Sequence, residues 1–185
     1  AAEVGYPVVL KIASAEIAHK SDMGGVRLNL KDESAVRAAF AEILDNAARH
    51  APEAQVDGVY VQGMLKPGLE VIIGVQNDPQ FGPAVLVGLG GIFVEVFRDA
   101  AMLPAPFSQA EALGMLRSLK ALPLFTGCRG RVPLDMDALA ETVAKVSRLA
   151  AECRHSIAEL DVNPVFVYPV GEGCCAADAL IILSE

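Results

Sequence analysis

Glu159-Leu160-Asp161-Val162-Asn163-Pro164, followed after a turn over residues 168–173 by Ala176-Ala177-Asp178-Ala179-Leu180-Ile181-Ile182-Leu183, is the stretch that most constrains this chain. Side chains at every second position of a strand share a face, so Glu159, Asp161 and Asn163 project together. If the two segments pair as a hairpin centred on Val170 and Gly171, Asn163 lies opposite Asp178 and oxygen ligands converge from two strands. Oxygen ligands that leave a coordination shell partly unfilled suit Mg²⁺, which keeps waters and completes its shell with nucleotide phosphates. A solvated acidic strand face is the other reading of the same residues.

Outward from this hairpin, the 185 residues suffice for one sizeable core or two small ones, and 53% hydrophobic content argues for thorough burial. A net charge of −8, with no basic cluster longer than Arg129-Gly130-Arg131, lacks the electrostatic footprint of a nucleic-acid binder. No apolar run reaches the roughly 18 residues of a membrane span, so the expectation is a cytoplasmic protein without nucleic-acid or membrane partners. Cys128, Cys153, Cys174 and Cys175 have neither CxxC spacing nor histidines at metal spacing and read as free thiols. The opening Ala1-Ala2-Glu3 reads as the tail of a helix, as in a piece of a longer polypeptide.

Strand patterns fall at residues 7–13, 26–30, 58–64, 69–76, 84–89 and 92–97, with breaks at Lys66-Pro67-Gly68, Asn77-Asp78-Pro79 and Gly88-Leu89-Gly90-Gly91. Ser34 is placed to cap a helix to about His50, with Val36, Phe40, Ile43, Leu44 and Ala47 as its apolar stripe. Ser108 caps a second helix to about Leu122, and Asp135 or Asp137 opens a third to about Cys153. A βαβ-like start thus gives way, near residues 62–67, to an antiparallel meander.

Lys11 interrupts an apolar strand and either snorkels at a rim or binds an anion. The loop His19-Lys20-Ser21-Asp22-Met23-Gly24-Gly25 joins an imidazole, a cation and two glycines that admit a ligand to backbone amides, the makeup of a phosphate-handling loop. His50 and His155 read as structural. Gly90 and Gly91 precede a strand pattern rather than a helix, which excludes a dinucleotide fingerprint; they form a turn that still permits backbone contact with phosphates. Glu70 and Glu95 sit among apolar strand neighbours and line a cleft or pair with a cation; Glu70 and Arg129 are secondary site candidates.

The succession Gly5-Tyr6-Pro7-Val8-Val9-Leu10-Lys11, His19-Lys20-Ser21-Asp22-Met23-Gly24-Gly25-Val26, Phe81-Gly82-Pro83, Gly88-Leu89-Gly90-Gly91-Ile92, Gly127-Cys128-Arg129-Gly130 and Glu159-Leu160-Asp161-Val162-Asn163-Pro164 resembles, in order and over the whole chain, the ATP-grasp domain of NDP-forming acyl-CoA synthetases. The resemblance implies an α+β ATP-grasp fold of two subdomains, residues 1–64 and 65–185, with mixed or antiparallel sheets flanked by helices and Mg-nucleotide clasped between them. It implies a ligase that interconverts acyl-CoA, ADP and phosphate with acid, CoA and ATP through phosphohistidine. Lys11 would contact nucleotide phosphates, Gln62, Gly63, Met64 and Leu65 would form the adenine hinge, and Asn163 and Asp178 would hold Mg²⁺ with Glu159 or Asp161 nearby. His19 would take the phosphoryl group and relay it to or from a histidine of CoA-binding and ligase domains, in the same polypeptide or a partner subunit. This chain alone would then be inactive. The alternatives are the nucleotide- or acyl-CoA-responsive module of a fused protein-lysine acyltransferase, a binding module without phosphotransfer, and a structural assembly domain.

Overall fold

The computed structural model describes residues 1–17, 20–91, 99–128 and 130–184. His19, Arg129, Glu95 and the strand expected over 92–97 lie outside the described residues. The chain divides into two compact units, Ala1–Lys66 and Pro67–Glu185. No helix among the described residues is long and apolar enough to cross a membrane.

The first unit is a three-stranded sheet backed by one helix. Its strands are β1 (Val8–Ala13), β2 (Val26–Leu30) and β3 (Gly58–Gly63), in the order β2-β1-β3, with both pairings antiparallel. Strand β1 is buried along its whole length because it is central and covered by helix α1 (Glu33–His50). Since β2 and β3 each oppose β1, the two run parallel to one another with α1 between them, which accounts for the βαβ-like pattern in the sequence. The helix starts two residues earlier than expected, because Asp32 rather than Ser34 is its cap: the Asp32 carboxylate accepts from the Ala35 amide at 2.8 Å and from the Ser34 hydroxyl at 2.7 Å. Its buried face is Ala39, Ile43 and Ala47, whereas Phe40, assigned to the apolar stripe, is 44% exposed. Small alanines are what let the helix sit close to the sheet.

The second unit contains β4 (Leu69–Asp78), β5 (Gly82–Leu89), β6 (Ala100–Pro104), α2 (Gln109–Ser118), α3 (Leu122–Thr126), α4 (Met136–Glu152), β7 (Ile157–Val167), β8 (Cys174–Ala176) and β9 (Ala179–Leu183). Its sheet runs β6-β5-β4-β7-β8, with β9 also paired to β7, and every pairing among the described residues is antiparallel. Val71, Ile73 and Val75 of β4, Val85 and Val87 of β5, and Leu160 and Val162 of β7 form one core with Leu116, Phe125, Leu139 and Val143. The cysteines are free thiols: Cys174 packs against this core and Cys175, its neighbour on β8, does not.

Strand β6 was not anticipated, since two alanines and a proline make a weak strand signal and, among the described residues, it pairs only with β5. Helix α2 begins as expected with a reciprocal capping box between Ser108 and Glu111, but it stops at Ser118 instead of Leu122. The cause is distant in sequence: the Asp99 carboxylate accepts from the Lys120 and Ala121 amides at 2.9 and 2.7 Å, pulling the chain out of the helix.

Asp135 ties α4 to the β7–β8 turn. One carboxylate oxygen caps the helix at the Ala138 amide, 3.1 Å away, and the other accepts from the Gly171 and Gly173 amides at 2.9 and 3.2 Å. The Ala138 amide is the main reason that this carboxyl is held below the usual range, with Gly171 and Gly173 adding to it against the opposing effect of burial. Asp135→Ala is therefore expected to lower stability by about 1–2 kcal/mol in urea denaturation. A depressed folded-state pKa confers stability that is complete above the unfolded value and lost as pH falls through the folded one. The stability gap between wild type and Asp135→Asn should hold constant near neutrality and close only as pH drops below about 4. A gap that persisted unchanged at lower pH would refute this assignment.

Candidate nucleotide and metal site

In the second unit, the register of the terminal strands decides which oxygens meet. Val162 lies opposite Ala179 and Val165 opposite Ala176, so the same register carries Asn163 opposite Asp178, and the Asn163 amide donates to the Asp178 carbonyl at 3.1 Å. Asp161 lies opposite Leu180 and Glu159 opposite Ile182. Leu160 and Val162 point into the core, which puts Glu159, Asp161 and Asn163 on the other face. Asp178 shares that face with Asn163, and its own carboxylate accepts from the Ala179 amide at 3.0 Å.

Glu159 does not join the set. It lies four positions along the strand from Asn163, a span of roughly 13 Å, whereas Mg²⁺ binds its ligands at about 2.1 Å. Among the described residues no three His, Cys, Asp or Glu side chains come close enough to hold a metal. What the structure places together is narrower: Asp161, Asn163 and Asp178, two carboxylates and an amide oxygen. An all-oxygen set of three that leaves room for waters fits Mg²⁺ and does not fit zinc or copper.

Beside these residues the outer sheet face forms a shallow cleft of about 360 Å³ with an apolar floor of Ile72, Leu86, Met102, Leu180 and Ile182 and an acidic margin of Glu159 and Asp161. A second cleft, of about 700 Å³, is lined by Gly68, Glu70, Gly90, Gly91, Leu124 and Arg131. Glu70 and Gly90 are held in contact, the Gly90 amide donating to the Glu70 carbonyl at 2.7 Å, and Gly91 has φ +62°, with its absent Cβ position 2.8 Å from Glu70 Oε2. The structure therefore brings together Glu70, Gly90 and Gly91 but not Glu70 and Asp161: Asp161 opposes Gly74, four residues along β4 from Glu70. Arg131 and Gly68 were not singled out in the sequence. Arg131 belongs to the one basic triplet of the chain, and its second arginine lines the cleft.

In the first unit, Lys11 lies between Val26 of β2 and Tyr60 of β3 and is only 8% exposed, the one buried charged side chain among the described residues. That burial is inconsistent with a solvated rim cation. Gln62 and Gly63 end β3 opposite Val9 and Val8, and the Met64 amide donates to the Pro7 carbonyl at 3.1 Å. Gln62, Gly63 and Met64 are exposed, Leu65 is half-buried, and β3 is an edge strand among the described residues.

A family profile described as the ATP-grasp domain matches residues 1–183. The β subunit of acetate–CoA ligase (ADP-forming) I from Pyrococcus furiosus is 48% identical over 98% of this chain and 77% of that protein. A solved structure of a Pyrococcus horikoshii protein superposes with a TM-score of 0.94 at 46% identity, covering 99% of this chain and 77% of that one. The dinucleotide-forming acetyl-coenzyme A synthetase 1 of Ca. Korarchaeum cryptofilum, solved with coenzyme A and Mg-AMPPCP and with its phosphohistidine segment pointing towards the nucleotide binding site, gives 0.82 at 45% identity, covering 99% and 79%. With a profile that spans nearly every residue and relatives at this identity over most of their length, the chain belongs to the ATP-grasp family, in the branch of the ADP-forming acyl-CoA synthetases.

Proposed function

We propose that this chain is the Mg-nucleotide-binding part of an ADP-forming acyl-CoA synthetase, which converts acyl-CoA, ADP and phosphate into acid, CoA and ATP in concert with CoA-binding and ligase domains. The observation that carries this reading is the register that sets Asn163 opposite Asp178, with Asp161 on the same face. The ligase and synthetase names of the relatives above favour it over a lysine acyltransferase. The cytoplasm, where ATP and CoA are found, is the compartment it implies.

Each unit supplies its own part. In the second, Asp161, Asn163 and Asp178 hold Mg²⁺, which when bound offsets the negative charge of the nucleotide phosphates. The apolar cleft beside them accepts a flat, uncharged surface. Glu70, Gly90 and Gly91 line a second anion-handling cleft together with Arg131, and Arg129 is assigned to the nucleotide as well. In the first unit, Lys11 contacts phosphate, and the exposed end of β3 at Gln62, Gly63, Met64 and Leu65 offers backbone groups to adenine.

His19 carries the phosphoryl group. A neutral imidazole nitrogen attacks phosphorus of the incoming phosphohistidine, a new N–P bond forms, and the old N–P bond breaks with its electron pair returning to the departing imidazole. In the next step an oxygen of the ADP β-phosphate attacks the same phosphorus, the bond to His19 breaks, and its electron pair stays on the His19 ring as ATP forms. Both steps demand alignment more than covalent machinery.

Calorimetric titration with ADP should show binding that requires Mg²⁺ and that Asp178→Ala weakens by about tenfold or more, the loss expected on removing one charged ligand. Lys11→Met should weaken binding of ADP in the presence of Mg²⁺. Equal Mg²⁺ dependence in wild type and Asp178→Ala would remove Asp178 from the site, and no ADP binding by the chain joined to its partner domains would overturn the reading.

A further inference from the structure

The residues that follow His19 in the sequence are held from three sides by groups to which the reaction above assigns no role. The Gly25 amide donates to the Lys20 carbonyl at 2.7 Å and the Gly24 amide to the Ser21 carbonyl at 3.0 Å, which closes the turn. The Gly25 carbonyl accepts from the Ile12 amide at 2.8 Å, one residue beyond Lys11. The Gly24 carbonyl then receives two side-chain donors, Arg27 Nη1 and Asn46 Nδ2, each at 3.2 Å. Arg27 lies on β2 and Asn46 on α1, so one carbonyl joins loop, strand and helix.

Arg27 is itself fixed. Its Nε and Nη2 donate to the two oxygens of Glu42 at 2.9 and 2.5 Å, and Glu42 lies one helical turn before Asn46. The glycines are what allow the turn to sit this close. A Cβ on Gly24, whose φ is +71°, would fall 2.6 Å from Asn46 Nδ2; one on Gly25 would fall 2.8 Å from both Ile12 Cγ2 and the Lys20 carbonyl. Ile17 before the loop is buried in the core of this unit and Met23 within it packs on the same core. An ordinary surface loop needs no such convergence, whereas a loop that presents a phosphoryl carrier to an in-line transfer does, because small misplacements of a reacting group slow transfer steeply.

We propose that Asn46, backed by the Arg27–Glu42 pair, is a positioning residue for the loop that carries His19, setting the rate of phosphoryl transfer through His19 without contributing to nucleotide affinity. This rests on the reading of His19 as the phosphate carrier. Asn46→Asp keeps the side-chain shape and replaces the donor with a carboxylate oxygen, and Arg27→Met removes the second donor by an independent route.

The test uses the full polypeptide or complex with its partner domains. It compares single-turnover formation of acid-labile phosphate on His19 from Mg-ATP, KM for ADP, and amide hydrogen exchange over residues 20–25. Both variants should form phosphohistidine about tenfold more slowly or worse, keep KM for ADP within about twofold, and exchange faster in the loop. A wild-type transfer rate in both variants, or a loss shared equally between transfer and KM for ADP, would overturn the positioning role. Wild type that forms no acid-labile phosphate, with the same result for His19→Asn, would instead overturn the carrier reading and this proposal with it.

Discussion

The second unit depends on the two-residue step in β7 at Asn163 and Pro164. Before the step the even-numbered residues Leu160 and Val162 are buried, and after it the odd-numbered Val165 and Val167 are. The pairing with β4 shifts at the same place, since Val71 opposes Val165 while Ile73 opposes Val162. A bulge of this kind keeps one apolar face on the core along an eleven-residue strand while holding two consecutive residues off it. Without it, either Val165 and Val167 would turn outward or Asp161 and Asn163 would turn inward. Burying a carboxylate and an amide in an apolar core costs several kcal/mol unless they find partners, so the alternative register is heavily disfavoured. The strand order, the core and the proposed metal ligands all follow from that one choice.

Much of this was legible in sequence because it is local. The alternation of Glu159, Asp161 and Asn163 with Leu160 and Val162 states which face is polar, and the turn at Val170 and Gly171 sets the register, so Asn163 opposite Asp178 could be read without coordinates. The cap at Ser108 was legible for the same reason, and that of α4 was narrowed to Asp135 or Asp137, since an N-cap is satisfied within three residues. What was not legible is what depends on residues far away. Helix α2 ends where Asp99, some twenty residues earlier, captures the Lys120 and Ala121 amides. Phe40 faces outward because Ala39, not the larger neighbour, is the side chain that fits against the sheet. Glu159 drops out of the metal set only when distance along the strand is weighed beside facing, and Arg131 joins a cleft only once β4 and α3 are in place.

The glycines make a related point about what a site needs from its backbone. Gly24 and Gly91 both have positive φ, and each turns the chain where a polar side chain lies under 3 Å from where a Cβ would be. In both places the absence of a side chain lets a backbone turn rest on a functional group, Asn46 in the first unit and Glu70 in the second. Gly25 is different, since no positive φ is involved and the obstacle is Ile12 and the Lys20 carbonyl. A sequence shows only that glycine is present; which of these two reasons applies is a property of the neighbours.

Charge gives the final constraint on how such a chain handles a nucleotide. The protein carries −8 overall, and Asp161 and Asp178 add negative charge where phosphates would approach. Like charges in a partly dehydrated cleft repel strongly, so two carboxylates by themselves would exclude a polyphosphate. Only a cation shared between those oxygens and the phosphates turns the repulsion into attraction. Lys11 acts in the opposite sense, as a buried fixed cation in a strand whose neighbours Leu10 and Ile12 are fully enclosed. A lysine so placed is costly for folding unless an anion or a polar partner meets it. On the proposed reading, then, Lys11 offers an anion a fixed cation, while Asp161 and Asp178 accept one only through a bound cation.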